Sequence, residues 1–194
     1  DDWSTIAVEP SFDAQRIRQS IFQGTIRLPT FYGTVMSPGG ISVPTGIYRS
    51  TIYDCIIENS HIQDVSHLCG TIVSQGAILQ NVGSLIASGM TTYGAGKAIA
   101  IGNEMGGRLI HILADLPPDL CETILLQRRD TETIQALNQL LEAWLSENQQ
   151  KVCFIGKGAK LCNTAVVRNV WIGPHARIDG AAKLRNTLLY SSLE

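Results

Sequence analysis

The chain has few aromatic residues, no excess of charge of either sign and no long apolar run. Aromatic residues make up 6% of the 194 residues, and 15 Lys and Arg stand against 17 Asp and Glu. Proteins that bind nucleic acid need clustered basic residues, so we expect no nucleic-acid partner. The apolar runs are too short to span a bilayer, and no signal peptide opens the chain. We therefore expect no membrane association.

The five cysteines form no Cys-x-x-Cys pair. Their odd number and their apolar surroundings indicate small buried thiols in a reducing compartment, which predicts a cytoplasmic protein. Cys55 and Cys162 are disfavoured as nucleophiles, because no neighbouring group in the sequence would lower the pKa of either thiol. The four histidines also lack metal-ligand spacing, so we predict no metal site.

What the chain does contain is an aliphatic residue at every fifth or sixth position in two stretches. The first stretch is Ile47, Ile52, Ile57, Ile62, Leu68, Val73, Ile78 and Val82, and the second is Ile155, Leu161, Val166, Ile172, Ile178 and Leu184. A helix would repeat near 3.6 residues and a half-buried strand near 2. The longer period is typical of a solenoid, in which each short rung buries one inward side chain.

Three hexads make this pattern more specific. Residues 155–160, 172–177 and 178–183 each begin with Ile and carry Ala at their fifth position. They resemble the hexapeptide repeat of left-handed parallel β-helices, in which the aliphatic residue points into a triangular prism and a small residue fits the corner. We therefore predict a mainly β protein with this fold. Recurrent asparagines are expected at its corners, where Asn tolerates a left-handed backbone: Asn59, Asn81, Asn163, Asn169 and Asn186.

The pattern divides the chain into four parts. Residues 1–15 look irregular, residues 16–114 are predicted as the first set of coils, and residues 151–194 as a second set that is still repeating at its last residues. An amphipathic helix at residues 13–22 is the alternative at the start of the coils. The rungs still running at the end of the chain lead us to expect that it is a piece of a longer protein.

Residues 115–150 are predicted to form a helical hairpin inserted between the two sets of coils. Asp115 and the two prolines after it favour the start of one helix. Asp130 is the expected N-cap of a second helix, whose apolar stripe includes Ile134, Leu137 and Leu141. We expect this stripe to pack on a flank of the prism, with a partner-binding groove as the alternative.

The segment Asn103-Glu104-Met105-Gly106-Gly107-Arg108 is the candidate ligand site. Gly106 and Gly107 allow backbone N–H groups to converge on an anion, and Arg108 adds a guanidinium suited to a carboxylate or phosphate. Asn103 and Glu104 would orient the rest of the ligand. The alternative is a sharp turn in which Glu104 and Arg108 pair with each other.

Candidates for a general base are Glu104 and His111, the histidine nearest to this segment. The other histidines, His61, His67 and His175, are expected near corners, where outward polar side chains are common. The sequence alone identifies no cofactor.

Several of these features together resemble one family. The motif Asn-Glu-x-Gly-Gly-Arg at 103–108, the preceding segment 93–101 and the helical hairpin before further hexads look like the N-terminal part of an uncharacterised family of long bacterial hexapeptide-repeat proteins. Its members are often labelled UDP-N-acetylglucosamine pyrophosphorylase-related or acyltransferase-like. The resemblance implies a transferase that takes acyl-CoA or a sugar nucleotide, and it carries over no catalytic residue. The Gly-rich nucleotide signature of a pyrophosphorylase is absent, so we expect no nucleotidyl transfer by this chain.

Two functions remain open from the sequence. One is the transferase-like activity that the resemblance implies, with acyltransferase the closer match in architecture. The other is a non-catalytic solenoid that acts as a scaffold, binds a ligand or forms homo-oligomers. A cleft in which Glu104, Arg108 and a histidine converge would favour the enzyme, and a surface pair of Glu104 with Arg108 would favour the module.

Overall fold

The computed structural model describes residues 3–100, 109–113, 116–127 and 129–190. The chain separates into two compact units, one formed by Asp1–Gly89 together with Lys151–Glu194 and the other by Met90–Gln150. The protein is mainly β. The strands of the first unit that precede the second unit are β1 Ile6–Val8, β2 Ile17–Arg18, β3 Ile21–Gln23, β4 Ile26–Leu28, β5 Thr34–Met36, β6 Ser42–Pro44, β7 Gly46–Tyr48, β8 Thr51–Tyr53, β9 Ile56–Ile57, β10 His61–Cys69, β11 Thr71–Val73 and β12 Ile78–Ile86.

The second unit contributes β13 Ala98–Ala100, β14 Leu109–His111 and the helices α1 Pro118–Leu126 and α2 Thr131–Glu147. The first unit then resumes with β15 Cys153–Ile155, β16 Lys160–Ile172, β17 Arg177–Asp179 and β18 Lys183–Leu189. None of the helices among the described residues is long and apolar enough to cross a membrane.

Fourteen strands of the first unit form one sheet, and every pairing within it is parallel. The pairings follow three series. The first contains β2, β7, β17 and the starts of β10, β12 and β16; the second contains β3, β8, the ends of β10 and β12, the middle of β16 and the start of β18; the third contains β1, β4, β9, β11, β15 and the ends of β16 and β18. The long strand β16 therefore belongs to all three series.

The register explains the aliphatic period. Ile62 pairs with Leu79 and Leu161 with Ile178, so one full turn of the pattern takes about 17 residues. Ile47, Ile62, Leu79 and Leu161 follow one another across the first series, and each is completely buried. Burial of one such side chain stabilises the fold by about 1.5–3 kcal/mol, which makes this stack the main source of cohesion.

Most of the predicted inward residues are in this core, with two corrections. Leu79 rather than Ile78 belongs to the core cluster, and Val167 is completely buried where Val166 was predicted. A turn of 17 residues is one short of three hexads, so a strict six-residue count drifts by one position. In a strand a shift of one residue moves the side chain to the other face.

The turns between series confirm four of the predicted asparagines. Asn81, Asn163, Asn169 and Asn186 all have φ near 50°. Asn81 donates through Nδ2 to Oδ1 of Asn163 at 2.8 Å, and Asn169 donates through Nδ2 to Oδ1 of Asn186 at 3.3 Å. Asn tolerates this left-handed conformation, and the stacked amides satisfy one another.

The start of the chain differs from its prediction. Ile6–Val8 is a strand that pairs with β4, and Ile6 is buried, so ordered β structure begins within the segment expected to be irregular. The helix considered for residues 13–22 does not form. Only a single 3₁₀ turn, Ala14–Arg16, precedes β2, and Asp13 caps it by accepting a hydrogen bond from the Gln15 N–H at 2.9 Å.

The second unit contains an antiparallel strand pair and the two helices. Ala98–Ala100 is a strand, as expected, but it pairs antiparallel with β14 instead of continuing the parallel coils. Ala98 and Ala100 are exposed, so this strand lacks the inward aliphatic side chain that the rungs carry. Helix α2 begins after Asp130, whose carboxylate accepts from the Thr133 N–H at 3.2 Å, which confirms the predicted N-cap.

Candidate functional site

The predicted anion-binding segment lies outside the described residues. Asn103, Glu104, Gly106, Gly107 and Arg108 all fall in the range 101–108, and Asp115 falls in the range 114–115. The binding of an anion by this segment, its alternative as a Glu104–Arg108 ion pair, and the role of Glu104 as a base therefore stay predictions.

His111, the other candidate base, is the last residue of β14 in the second unit. Its Nδ1 lies 2.9 Å from the carbonyl oxygen of Gly96. A carbonyl oxygen can only accept, so Nδ1 carries the hydrogen and Nε2 of the neutral ring is an acceptor. This tautomer would allow His111 to take a proton through Nε2, but it equally suits a ring that only accepts a hydrogen bond.

The remaining histidines do not form a site. His175 is exposed at a turn with φ of 59°, as predicted, and His67 is exposed on β10. His61 instead lies at the start of β10, 1% exposed, with Nδ1 2.7 Å from the carbonyl oxygen of Pro44. Among the described residues, no group of three His, Cys, Asp or Glu side chains could hold a metal ion.

Burial of His61 predicts a pH-dependent stability. Desolvation lowers its pKa in the folded state, and the hydrogen bond to Pro44 and the nearby Gln63 and Asp64 only partly oppose this. The unfolded chain therefore takes up a proton first as the pH falls below about 6.5. The free energy of unfolding should fall by up to about 1.4 kcal/mol per pH unit below that value, until the folded ring also protonates, and be insensitive to His61 above it.

Urea denaturation between neutral pH and pH 5 measures this dependence. His61→Gln should remove the part of the slope that begins near the ordinary histidine pKa, whereas the exposed His67→Gln should leave it unchanged. An identical slope in wild type and His61→Gln would contradict the assignment.

The cysteines are not activated nucleophiles. All five are free, and Cys55, Cys153 and Cys162 are buried. Desolvation raises the pKa of Cys55 to about 12 and also raises the pKa values of Cys69, Cys153 and Cys162. A thiolate is the reactive form, so these shifts agree with the interpretation of the cysteines as small hydrophobic residues.

A groove on the first unit brings polar side chains together. We call it the polar groove; its volume is about 490 Å³. It is lined by Glu9, Arg27, Leu28, Pro29, Thr30, Tyr32, Ile56, Ile57, Glu58, Asn59 and Gln75. These residues come from the third series of strands, from the loop after β4 and from the turns that follow β9 and β11.

Asn59 fixes the loop that forms one wall of the polar groove. Its Oδ1 accepts from the Tyr32 N–H and its Nδ2 donates to the Tyr32 carbonyl oxygen, both at 3.1 Å. The side-chain amide thus pairs with the Tyr32 backbone as a neighbouring strand would. Gln75 Nε2 also donates to the Tyr32 hydroxyl oxygen at 3.3 Å. The Tyr32 ring remains 57% exposed and is available to a ligand.

Two carboxylates of the polar groove are anchored in the same way. Glu9 Oε2 accepts from the Thr30 N–H at 2.7 Å, and Glu58 Oε2 accepts from the Gln75 N–H at 2.7 Å. The Oε1 atom of each has no hydrogen-bond partner among the described residues, and Arg27 forms no ion pair among them. The groove therefore presents two oriented carboxylate oxygens, one guanidinium, amide groups, a phenol ring and the exposed side chain of Ile56.

The sequence analysis missed the polar groove. Its residues are scattered from position 9 to position 75 and match no catalytic or binding motif. One signal was available: Glu58 and Gln75 are separated by one turn of about 17 residues, so they occupy equivalent turns and must stack. Aligning the chain at that spacing, instead of at six residues, would have placed them together.

Comparison with known proteins adds a family but no activity. No solved structure matches the chain. The chain is 29% identical over 214 residues to an uncharacterized protein of Treponema pallidum (strain Nichols), with all of this chain covered and 28% of that protein. It thus spans about a quarter of that relative's length. The whole chain, residues 1–194, matches the family described as a domain of unknown function, DUF4954, and the protein belongs to that family.

Proposed function

We propose that the chain is a non-catalytic ligand-binding module, and that the polar groove binds an uncharged polyhydroxylated ligand of the carbohydrate class. The observation that carries the proposal is the pre-organisation of the groove. Glu9, Glu58 and Asn59 are held by backbone hydrogen bonds, so their free acceptors and donors need little reordering to meet a ligand.

The chemistry of the groove favours vicinal hydroxyl groups. Each carboxylate Oε1 can accept from a hydroxyl, and the amide of Gln75 can both donate and accept. The exposed Tyr32 ring and Ile56 offer an apolar surface to the C–H face of a sugar. Ligand sites combine such apolar contacts with a few placed polar groups, and the groove volume lies within their usual range of about 300–1,000 Å³.

The charge of the groove argues against the polyanionic ligands that the family resemblance implies. Two glutamates against one arginine leave a net negative charge among its described ionisable side chains. The phosphates of a sugar nucleotide or of acyl-CoA would meet two carboxylates and only one cation, which is unfavourable at close range. The transferase-like activity stays a prediction that depends on residues 103–108.

The finer architecture is part of the same proposal. We propose that the first unit is a left-handed parallel β-helix of hexapeptide rungs. Three series of strands, a turn of about 17 residues and left-handed residues between the series support it. Five free cysteines likewise support a reducing, cytoplasmic location.

A pair of glutamine variants tests the polar groove. Gln75→Ala removes the amide that faces Tyr32 and should weaken sugar binding by about three- to tenfold, as expected for one hydrogen bond of about 0.5–1.5 kcal/mol. Gln23→Ala makes the same change at an exposed position of β3, outside the groove, and should bind as wild type does. Calorimetric titration with neutral mono- and disaccharides, N-acetylglucosamine, its UDP conjugate and CoA measures the difference.

The outcome separates the competing functions. Binding of a neutral sugar that Gln75→Ala weakens and Gln23→Ala retains supports the proposal. Tight binding of CoA or of the UDP conjugate, with no binding of any neutral sugar, would contradict it and favour the transferase.

A further inference from the structure

The second unit contains a cavity of different chemistry. It has a volume of about 350 Å³ and is lined by β14, α1, α2 and the segment between β14 and α1. Ten of its twelve described lining residues are Leu or Ile, and no charged side chain is among them. Only His111 and Asn138 are polar. Apolar walls with one or two polar groups are typical of sites for small, largely apolar ligands.

The helices direct their apolar stripe into this cavity. Ile134, Leu137 and Leu141 of α2, the residues predicted to form the stripe, all contribute to the lining, and Leu120 of α1 lies across from them. Leu140 of α2 is not part of the lining and is 69% exposed. The same helix therefore carries a lining position and a solvent position of identical chemistry.

The size of the cavity restricts its occupant. One turn of a helix with its side chains, about 5.4 Å of a cylinder roughly 10 Å across, occupies about 420 Å³. The cavity is smaller than one such turn, so a partner helix could place no more than a few side chains in it. A linear hydrocarbon chain fits a space of this kind without that restriction.

The polar residues restrict the end group of the occupant. Nδ1 of His111 donates to the Gly96 carbonyl at 2.9 Å, which leaves Nε2 as an acceptor. An alcohol can donate to that nitrogen, whereas an ionised carboxylate has no hydrogen to donate and finds no cation among the described lining residues. An uncharged hydroxyl end therefore suits the lining better than a fatty-acid head group.

We propose that this cavity binds an unbranched aliphatic chain of medium length that ends in an uncharged hydroxyl group. The site is separate from the polar groove and does not depend on the function proposed there. Binding is driven by burial of methylene groups, and His111 and Asn138 select the end group.

The test is a calorimetric titration of the full chain with 1-butanol, 1-hexanol, 1-octanol and 1-decanol, and with octanoate. Burial of one methylene contributes about 0.8 kcal/mol, so affinity should rise roughly three- to fourfold per carbon and then level off when the cavity is full. 1-Octanol should bind more tightly than octanoate. A continuous rise without a limit, or equal binding of 1-octanol and octanoate, would overturn the proposal.

Variants at matched positions of α2 localise the binding. Leu137→Trp should fill the cavity and reduce 1-octanol binding at least tenfold, while Leu140→Trp should leave it unchanged. Leu137→Ala enlarges the cavity and should move the limit to a longer alcohol, a gain that a misfolded variant could not produce. If no alcohol binds, or if Leu137→Trp only prevents self-association, the cavity receives protein side chains and the proposal is wrong.

Discussion

Ile172→Asp is expected to unfold the first unit. Ile172 is 1% exposed and pairs with Ile155 on one side and Leu189 on the other, so an aspartate there would be surrounded by aliphatic side chains. Burial of an unpaired carboxylate costs several kcal/mol, which is comparable with the whole stability of an ordinary domain, about 5–15 kcal/mol. Thermal and urea denaturation followed by circular dichroism should show lost or strongly weakened β structure.

Two controls make this result specific. Ile172→Val keeps the apolar character and should cost only about 0.5–1.5 kcal/mol. Arg177→Asp introduces the same charge at an exposed position whose contact with Asp179 is long, 4.0 Å, and should cost no more than about 1 kcal/mol. If Ile172→Asp and Arg177→Asp had equal stability, the assignment of inward and outward positions would be wrong.

Gly156→Ala is expected to cost about 3 kcal/mol or more. A Cβ atom at Gly156 would lie 2.5 Å from the backbone nitrogen of Pro174 and 2.6 Å from the carbonyl carbon of Gly173. Both neighbours are backbone atoms of the next rung, so the methyl group would have to push two rungs apart and weaken the Gly156 N–H bond to the Ile172 carbonyl, now 2.8 Å.

Gly39→Ala is the matched control for this change. Gly39 lies in the turn between β5 and β6, and a Cβ atom there would meet nothing within 4 Å. The substitution should be neutral or slightly stabilising, because it reduces the freedom of the unfolded chain. Differential scanning calorimetry of the two variants compares them directly. Equal melting temperatures would show that the rungs are not packed as closely as described.

The sequence predicted the features that repeat and missed those that depend on long-range pairing. The aliphatic period identified the core of the rungs because burial recurs once per strand, and the Asn positions followed from the need for left-handed turns. Ile6–Val8 has no repeat around it in the sequence. It is a strand because β4, 20 residues later, offers it a parallel edge.

The functional sites were harder to predict for the same reason. The polar groove depends on Asn59 reaching the backbone of Tyr32, a contact 27 residues apart that follows from the register of the rungs and from no local motif. The apolar stripe of α2 was visible as a period, but its partner surface was not. Ile134 and Leu137 line a cavity together with β14, a strand that the sequence gave no reason to place beside the helix.

The most direct test of the binding function is an NMR titration of the ¹⁵N-labelled chain with neutral sugars, CoA and UDP. The backbone N–H groups of Thr30, Tyr32 and Gln75 are the reporters, because each donates to a side chain that the proposed ligand would contact: Glu9, Asn59 and Glu58 respectively. The account predicts saturable shifts of these three resonances with a neutral sugar and none with CoA. Unchanged resonances with every sugar, together with shifts of other residues on addition of CoA or UDP, would contradict it.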